Sequence, residues 1–196
     1  MKTVSGPAFT PLLACVLILA GCAASAEPMV SAAAPAVVTP AERVAAALAE
    51  AAAADASGDA ATLAHAVGVL ERRGAHALEV SADDPVPVWR AKAGNTTPPM
   101  RGSALGPGYR SGRISVGARD SFAQLFLSGT GATIALSAPT GDRVSLRVLD
   151  PQAKPICDEA NKKDRMCRWV PLFTQRYTIE VVNNGASDAR YFLVVE

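Results

Sequence analysis

The chain has 196 residues, with 19 lysines and arginines against 18 aspartates and glutamates, and its formal net charge is +1. This length is enough for one domain of ordinary size with accessory segments. The longest N-terminal apolar run, residues 12–20, is shorter than the roughly 20 residues of a transmembrane helix, and no later segment qualifies, which argues against a membrane-spanning helix. The charges are unevenly spread: residues 27–84 hold three cations and nine anions, residues 85–119 six cations and no anion, and residues 120–196 nine of each.

The first apolar run ends in four residues with a recognisable pattern, Leu19-Ala20-Gly21-Cys22. This pattern resembles the lipobox of bacterial lipoproteins. The resemblance implies that residues 1–21 are a lipoprotein signal peptide, and that Cys22 becomes the first residue with acyl chains on its thiol and usually on its amino group. Two or three acyl chains hold a protein on a bilayer far more firmly than one chain does. The alternative is an ordinary secretory signal, cleaved after Ala26, which would give a soluble periplasmic protein.

The expected location follows from this signal. Residue 23 is Ala, whereas Asp at that position favours inner-membrane retention in enterobacterial lipoproteins. We therefore expect a lipid-anchored protein of the outer membrane that faces the periplasm and contacts the lipid bilayer through acylated Cys22. Another envelope protein or peptidoglycan is a further candidate partner, and nucleic acid is not expected as one.

Residues 22–39 predict a flexible tether. They are mainly Ala, Val, Ser and Pro, and they hold too few large side chains to form a core. A flexible chain of this length has a root-mean-square reach of roughly 20 to 25 Å, which clears the lipid headgroups but does not cross the periplasm.

Residues 40–84 predict a helical hairpin rich in alanine. Thr39 can cap the first helix and Pro40 suits its first position, and apolar residues follow at helical spacing. The polar segment 55–59 separates this helix from a second one, which ends where two arginines precede Gly74. The hairpin either packs on its own chain or binds a partner.

Residues 85–112 predict a basic connector without regular secondary structure, because prolines and glycines interrupt the segment throughout. Its cations and those that follow at once are candidates for contacts with anionic lipid headgroups, lipopolysaccharide phosphates or peptidoglycan carboxylates: Arg90, Lys92, Arg101, Arg110, Arg113 and Arg119. The alternative is that these cations pair with the acidic hairpin, while Trp89 and Tyr109 fix the connector to the domain.

Two cysteines remain after the lipobox, Cys157 and Cys167, in a compartment where disulfides persist. We predict that they bond to each other. The closed loop has 11 residues, for which chain entropy alone gives about 3 kcal/mol of stabilisation. A zinc site is the competing interpretation, but the sequence lacks a second cysteine or histidine pair at ligand spacing.

From residue 113 the hydrophobic period becomes two. Seven short segments rich in branched or aromatic residues predict strands, namely 113–116, 122–127, 133–137, 144–149, 168–170, 177–182 and 191–195. We therefore predict a mainly β chain, in which residues 113–196 form an antiparallel β-sandwich, jelly-roll-like, preceded by the short α-helical hairpin.

The end of the chain also resembles a family. The segment 144–151, the cysteine loop followed by 167–171, the strand 174–181 and the closing 191–195 are similar to the pre-peptidase C-terminal type of β-sandwich. The resemblance covers about the last 80 residues and implies an accessory, non-catalytic domain. The family often carries an Asp-x-Asp pair before its Asp-Pro turn, where this chain has Arg143 and Ser145, and this difference speaks against a calcium site of the family's kind.

The sequence contains no strong catalytic motif. It lacks the nucleophile-elbow, Walker and dinucleotide-binding patterns, and we expect His65 and His76 to be surface side chains. We therefore predict that the protein is not an enzyme and uses no cofactor or metal. A cryptic hydrolase that uses these two histidines is the least favoured hypothesis.

The leading hypothesis is a non-catalytic cell-envelope lipoprotein whose β-sandwich serves protein interaction or structural support. The alternative is a small calcium- or glycan-binding accessory module of an envelope or secretion system. That module would use the acids around the cysteine loop, Asp150, Asp158, Glu159 and Asp164. Neighbouring lysines and arginines dilute this negative charge, which favours a solvated, salt-bridged loop over a cation site.

Overall fold

The computed structural model describes residues 38–94, 106–140, 143–158 and 165–196. These residues belong to one compact unit, Val37–Glu196. The lipobox with Cys22, most of the predicted tether, Arg101, Glu159 and Asp164 lie outside the described residues. None of the described helices is long and apolar enough to cross a membrane.

Two helices form the predicted hairpin, α1 over Pro40–Ser57 and α2 over Ala60–Arg72. Thr39 caps α1 as expected, and Glu42 completes a capping box, because its carboxylate accepts the backbone N–H of Thr39 while the Thr39 hydroxyl accepts that of Glu42. Gly58 ends α1 in the left-handed region, at φ 73°, which glycine adopts without a steric penalty. Asp59 then caps α2 through its carboxylate, which accepts the backbone N–H of Thr62.

The expectation that no regular element forms between residues 85 and 112 is wrong. A third helix, α3, spans Val86–Lys92, and the segment ends in a strand that begins at Gly108. Pro87 is tolerated because it lies in the first helical turn, where backbone N–H groups have no intrahelical acceptor. Trp89 fixes α3 to the domain, since its side chain is buried and its ring centroid lies 5.8 Å from that of Phe192.

Within the described residues nine strands form two sheets, and the prediction of a mainly β sandwich preceded by helices is confirmed. Sheet 1 has the order β1-β2-β9-β4-β7, and sheet 2 has the order β3-β8-β5-β6. The strands are β1 His76–Ala77, β2 Gly108–Ile114, β3 Arg119–Phe126, β4 Ala132–Ser137, β5 Val144–Leu149, β6 Pro155–Asp158, β7 Met166–Trp169, β8 Gln175–Asn183 and β9 Ala189–Val195. Every pairing is antiparallel except that of β1 with β2.

Several predicted strand boundaries differ from the structure, two of them substantially. The strand predicted at 113–116 lies earlier, because β2 pairs with β9 from Gly108 to Ile114 and the chain then turns. The strand predicted at 168–170 lies earlier as well, at Met166–Trp169, and Val170 is exposed. The two short strands β1 and β6 were not predicted, because neither has enough residues to show an alternating pattern.

Strand β9 is the shared centre of two cores. Tyr191, Leu193 and Val195 pack in the core between the two sheets, whereas Phe192 and Val194 pack in a second core under the helices. The helical hairpin therefore packs on its own chain, with α1 against β4 and β9. This arrangement explains the unbroken apolar run of β9, since a strand covered on both faces has no solvent-facing side chains.

Candidate functional site

The predicted disulfide between Cys157 and Cys167 is present, with 5.8 Å between the Cα atoms. Cys157 lies on β6, an edge strand of sheet 2, and Cys167 lies on β7, an edge strand of sheet 1. The bond therefore joins the two sheets at one side of the sandwich. Because both thiols are used, neither cysteine is a free nucleophile or metal ligand.

The described acids of the predicted ligand site have structural partners. The carboxylate of Asp150 accepts the backbone N–H groups of Gln152 and Lys154, at 2.9 and 2.8 Å, and so holds the turn between β5 and β6. Asp158 pairs with Arg147 at 3.2 Å. No group of three or more histidine, cysteine or acidic side chains that could hold a metal ion occurs within the described parts of the chain.

Several of the candidate basic residues form ion pairs within the chain. Lys92 pairs with Asp55 of the helical hairpin. Arg119 pairs with the buried carboxylate of Glu180, at 2.8 Å, which also accepts from Arg147. These contacts agree with the alternative that the cations stabilise the fold, while Arg113 is exposed and Arg90 is half-buried.

Arg110 is the most extensively paired of these cations. Its guanidinium lies 2.7 Å from Glu79 and 3.3 Å from Asp120, and its central carbon lies 4.7 Å from the centroid of the Phe122 ring. The Tyr191 hydroxyl donates a hydrogen bond to Asp120, and burial together with this bond raises the pKa of Tyr191 to about 12. The cluster connects β2 of sheet 1 with β3 of sheet 2, so it closes one side of the sandwich.

The two histidines lie in different environments. His65 is exposed, as expected, with its Nδ1 3.8 Å from a carboxylate oxygen of Glu50. His76 is half-buried rather than a free surface side chain, and its buried Nδ1 has no hydrogen-bond partner among the described residues. The contacts of the described residues place neither histidine in a nucleophile, base and acid triad.

A shallow groove of about 290 Å³ lies on the same side of the sandwich as the Arg110 cluster, beside the later residues of β3. It lies between the β1–β2 side of sheet 1 and strand β3 of sheet 2, and its lining includes His76, Leu78, Gly108, Gln124 and Leu125. The groove has few charged groups in its wall, among them Glu196. A surface of this kind suits binding of an extended or apolar partner segment better than chemistry.

The loops at one end of the sandwich form an apolar tip, which we define by Leu127, Val170, Leu172 and Phe173. The loop between β3 and β4 is hydrogen-bonded to the loop between β7 and β8. Ser128 donates its backbone N–H to Thr174 Oγ1 at 3.0 Å and its hydroxyl to the Leu172 carbonyl at 2.8 Å. Gly129 N–H donates to the Pro171 carbonyl at 2.9 Å.

Sequence reasoning missed the apolar tip. The signal was available, because residues 170–173 read Val-Pro-Leu-Phe without a charge. Proline cannot donate to a strand ladder, and in this position it ends β7 and turns the following apolar residues outwards.

We compared the chain with protein-family models, curated proteins and solved structures. No protein-family model matches the sequence, and no curated protein matches it. Among solved structures, the chain is similar to PliG of Aeromonas hydrophila, a periplasmic inhibitor of g-type lysozyme, with 17% identity and a TM-score of 0.38 over 46% of this chain and 84% of that one. It is also similar to the pre-peptidase C-terminal domain of a Bacillus anthracis collagenase, with 17% identity and a TM-score of 0.38 over 45% of this chain and 87% of that one. A third similar structure, PliG of Salmonella Typhimurium, has 10% identity and a TM-score of 0.34 over 46% of this chain and 89% of that one.

These similarities concern a β-sandwich of this kind and nothing finer. The architecture itself is given by the strands and pairings of the described residues.

Proposed function

We propose that the protein is a non-catalytic lipoprotein of the bacterial cell envelope, anchored through acylated Cys22 in the outer membrane and facing the periplasm. Its β-sandwich serves interaction with another envelope protein or structural support. The lipobox pattern supports the anchor, and the architecture of the described residues supports a binding or supporting role.

The observation that carries this proposal is that ionisable side chains of the sandwich pair with one another within the fold. The Glu180 carboxylate is held by Arg119 and Arg147, and Arg110 is held by Glu79 and Asp120. A catalytic acid or base needs a partner that positions it toward substrate, whereas these groups are oriented toward one another. The sandwich therefore offers a groove and an apolar tip for contacts, while Arg110, Arg119, Arg147 and Glu180 pair within the fold.

The anchor is tested by labelling cells with a radioactive fatty acid. We expect the wild-type protein to take up label and to fractionate with the outer membrane, and Cys22→Ala to take up none and to lose this attachment. A matched control is Cys15→Ala, which changes the other N-terminal cysteine and is expected to leave labelling intact. An unlabelled wild-type protein that begins at Glu27 would contradict the proposed anchor.

The interaction role is tested at the groove by placing a photo-crosslinking amino acid at Gln124 in living cells. We expect a discrete adduct of defined mass, with the same partner identified in repeated experiments. The control site is Ala56, an exposed position on the hairpin, which is expected to give no such adduct. Identical patterns from the two positions would count against the groove as a binding surface.

A further inference from the structure

The apolar tip exposes large hydrophobic side chains to an unusual degree. Leu127, Val170, Leu172 and Phe173 are 58, 59, 81 and 68% exposed. They lie on two loops that are hydrogen-bonded to each other, and residues 127–131 and 170–174 contain no charged side chain. Clustered exposure of this kind marks a surface that is covered when the protein functions.

The described chain begins at the same end of the sandwich as this tip. Glu42, in the first turn of α1, pairs with Arg168 of β7, and the backbone N–H of Ala41 donates to the Glu196 carboxylate at 3.1 Å. Arg168 is the register partner of Thr133, at the start of β4. Since strands advance about 3.3 Å per residue, Arg168, which pairs with the first turn of α1, lies roughly 7 Å along the chain from Val170 of the tip.

At the start of α1, the negative charge of Glu42 is balanced by Arg168 of the same chain. Burial raises the pKa of Glu42, but the hydrogen bonds from Thr39 and the Arg168 guanidinium outweigh it and hold this pKa below its usual value. The Glu42 carboxylate is therefore ionised near neutral pH, where it pairs with Arg168. This pair sits beside the tip and leaves the loops themselves neutral.

We propose that the apolar tip is a lipid-contacting surface, which inserts Leu127, Val170, Leu172 and Phe173 into the bilayer that holds the acylated Cys22. The inference rests on the proposed function for the anchor. The tether predicted at residues 22–39 would have a reach of roughly 20 to 25 Å, so acylation of Cys22 would hold the domain within about that distance of the bilayer. A short flexible linker gives an effective concentration in the millimolar range, so that even weak insertion is populated.

The neutral character of the tip favours a bilayer as its occupant. Inserting a charged side chain into the headgroup and acyl boundary costs free energy, whereas inserting an exposed leucine, valine or phenylalanine side chain is favourable. The opposite end of the sandwich provides a comparison within the same molecule. The turn between β2 and β3 there carries a single large exposed apolar residue, Val116, three residues before Arg119.

The test uses tryptophan fluorescence and vesicles of neutral phosphatidylcholine brominated on the acyl chains. We expect Phe173→Trp to be quenched by the brominated lipid and to shift to the blue, at low and at high salt alike. The parent chain, which contains Trp89 and Trp169, supplies the background signal. Val116→Trp is the matched control and is expected to show no additional quenching.

A second variant tests the energetics. Leu172→Asp combined with Phe173→Asp is expected to weaken vesicle binding of the unacylated Cys22→Ser chain on the order of tenfold or more, since burial of even one such side chain contributes about 1.5 kcal/mol. Val116→Asp is expected to leave binding unchanged. Because all three side chains are exposed, the variants should keep the parent melting temperature, and a fluorescence readout on a folded protein excludes simple unfolding.

Several outcomes would overturn the proposal. One is the absence of quenching at position 173 in both the acylated protein and the Cys22→Ser chain. Another is equal quenching at positions 173 and 116. A photo-crosslinker at position 173 that forms a discrete protein adduct in cells, without lipid quenching, would assign the tip to a protein partner instead. Fatty acid labelling of Cys22 is scored separately, so loss of the anchor and loss of tip contact are distinguishable.

Discussion

The disulfide between Cys157 and Cys167 should stabilise the whole folded unit. The bond closes a loop with a sequence separation of 10, for which the chain-entropy relation gives about 3 kcal/mol. For a cooperative unit of roughly 150 to 200 residues, 1 kcal/mol shifts the melting temperature by about 2 to 4 °C. We therefore expect reduction to lower the melting temperature by about 6 to 12 °C.

The loss of stability on reduction should appear first in the two edge strands that the disulfide joins. Strand β6 pairs with β5 over a short stretch with an irregularity near Val148 and Leu149, and it forms an edge of sheet 2. Without the bond, β6 is held in sheet 2 mainly by its short pairing with β5, and the buried Cys167 loses its covalent link to the other sheet. Amide hydrogen exchange should therefore accelerate in β6 and β7 before it does in β9.

The measurement is a thermal melt of the Cys22→Ser chain with and without reductant. The double variant Cys157→Ala, Cys167→Ala is the control, since it should melt at the lowered temperature in both conditions. Intact-mass analysis after non-reducing alkylation establishes that the bond forms in the cell envelope. Two freely alkylated thiols in the native protein, or a reduced protein that melts within about 2 °C of the oxidised one, would refute the reasoning.

Two further predictions concern ionisable side chains. Arg110→Ala should lower the melting temperature by several degrees, because it leaves Glu79 without its cation, leaves Asp120 with only the Tyr191 hydroxyl, and uncovers Phe122. Arg113→Ala should leave the melting temperature unchanged and instead weaken any salt-sensitive sedimentation with peptidoglycan. Equal effects of the two variants on stability would contradict this division. Tyr191 has a pKa raised to about 12 against about 10 when unfolded, so its contribution to stability is present below pH 10 and is lost as the pH rises from 10 toward 12. Alkaline melts of wild type and Tyr191→Phe measure this, and a wild-type curve that falls no faster than that of the variant would count against it.

Local signals in the sequence predicted the elements whose structure is decided locally. The cap at Thr39, the break near Gly58 and the alternation of Val144, Leu146 and Val148 all produce the expected boundaries. The disulfide was also predictable, because the compartment and the count of remaining cysteines leave one pairing.

The remaining features depend on partners distant in sequence. Gly108 and Gly112 lie in a strand because β9 supplies a complete antiparallel partner, and Gly112 also leaves room for the Tyr191 ring, whose atoms would lie 2.8 Å from an added Cβ. Prolines and glycines suggested a connector there, since propensity cannot register a neighbour 80 positions away. The apolar tip was missed for a related reason, because an apolar run after Trp169 looks the same whether it is buried or exposed.

Strand β9 packs against the helices on one face and against the second sheet on the other. Phe192 and Val194 are covered by the helices, while Tyr191 and Leu193 face the opposite core. A hairpin that swung away would uncover aromatic and branched side chains at a cost of several kcal/mol. A force applied through the predicted tether at Thr39 would therefore act first on α1, which packs on β9, the central strand of sheet 1. We expect the whole folded unit to reorient under such a force before its helices unfold.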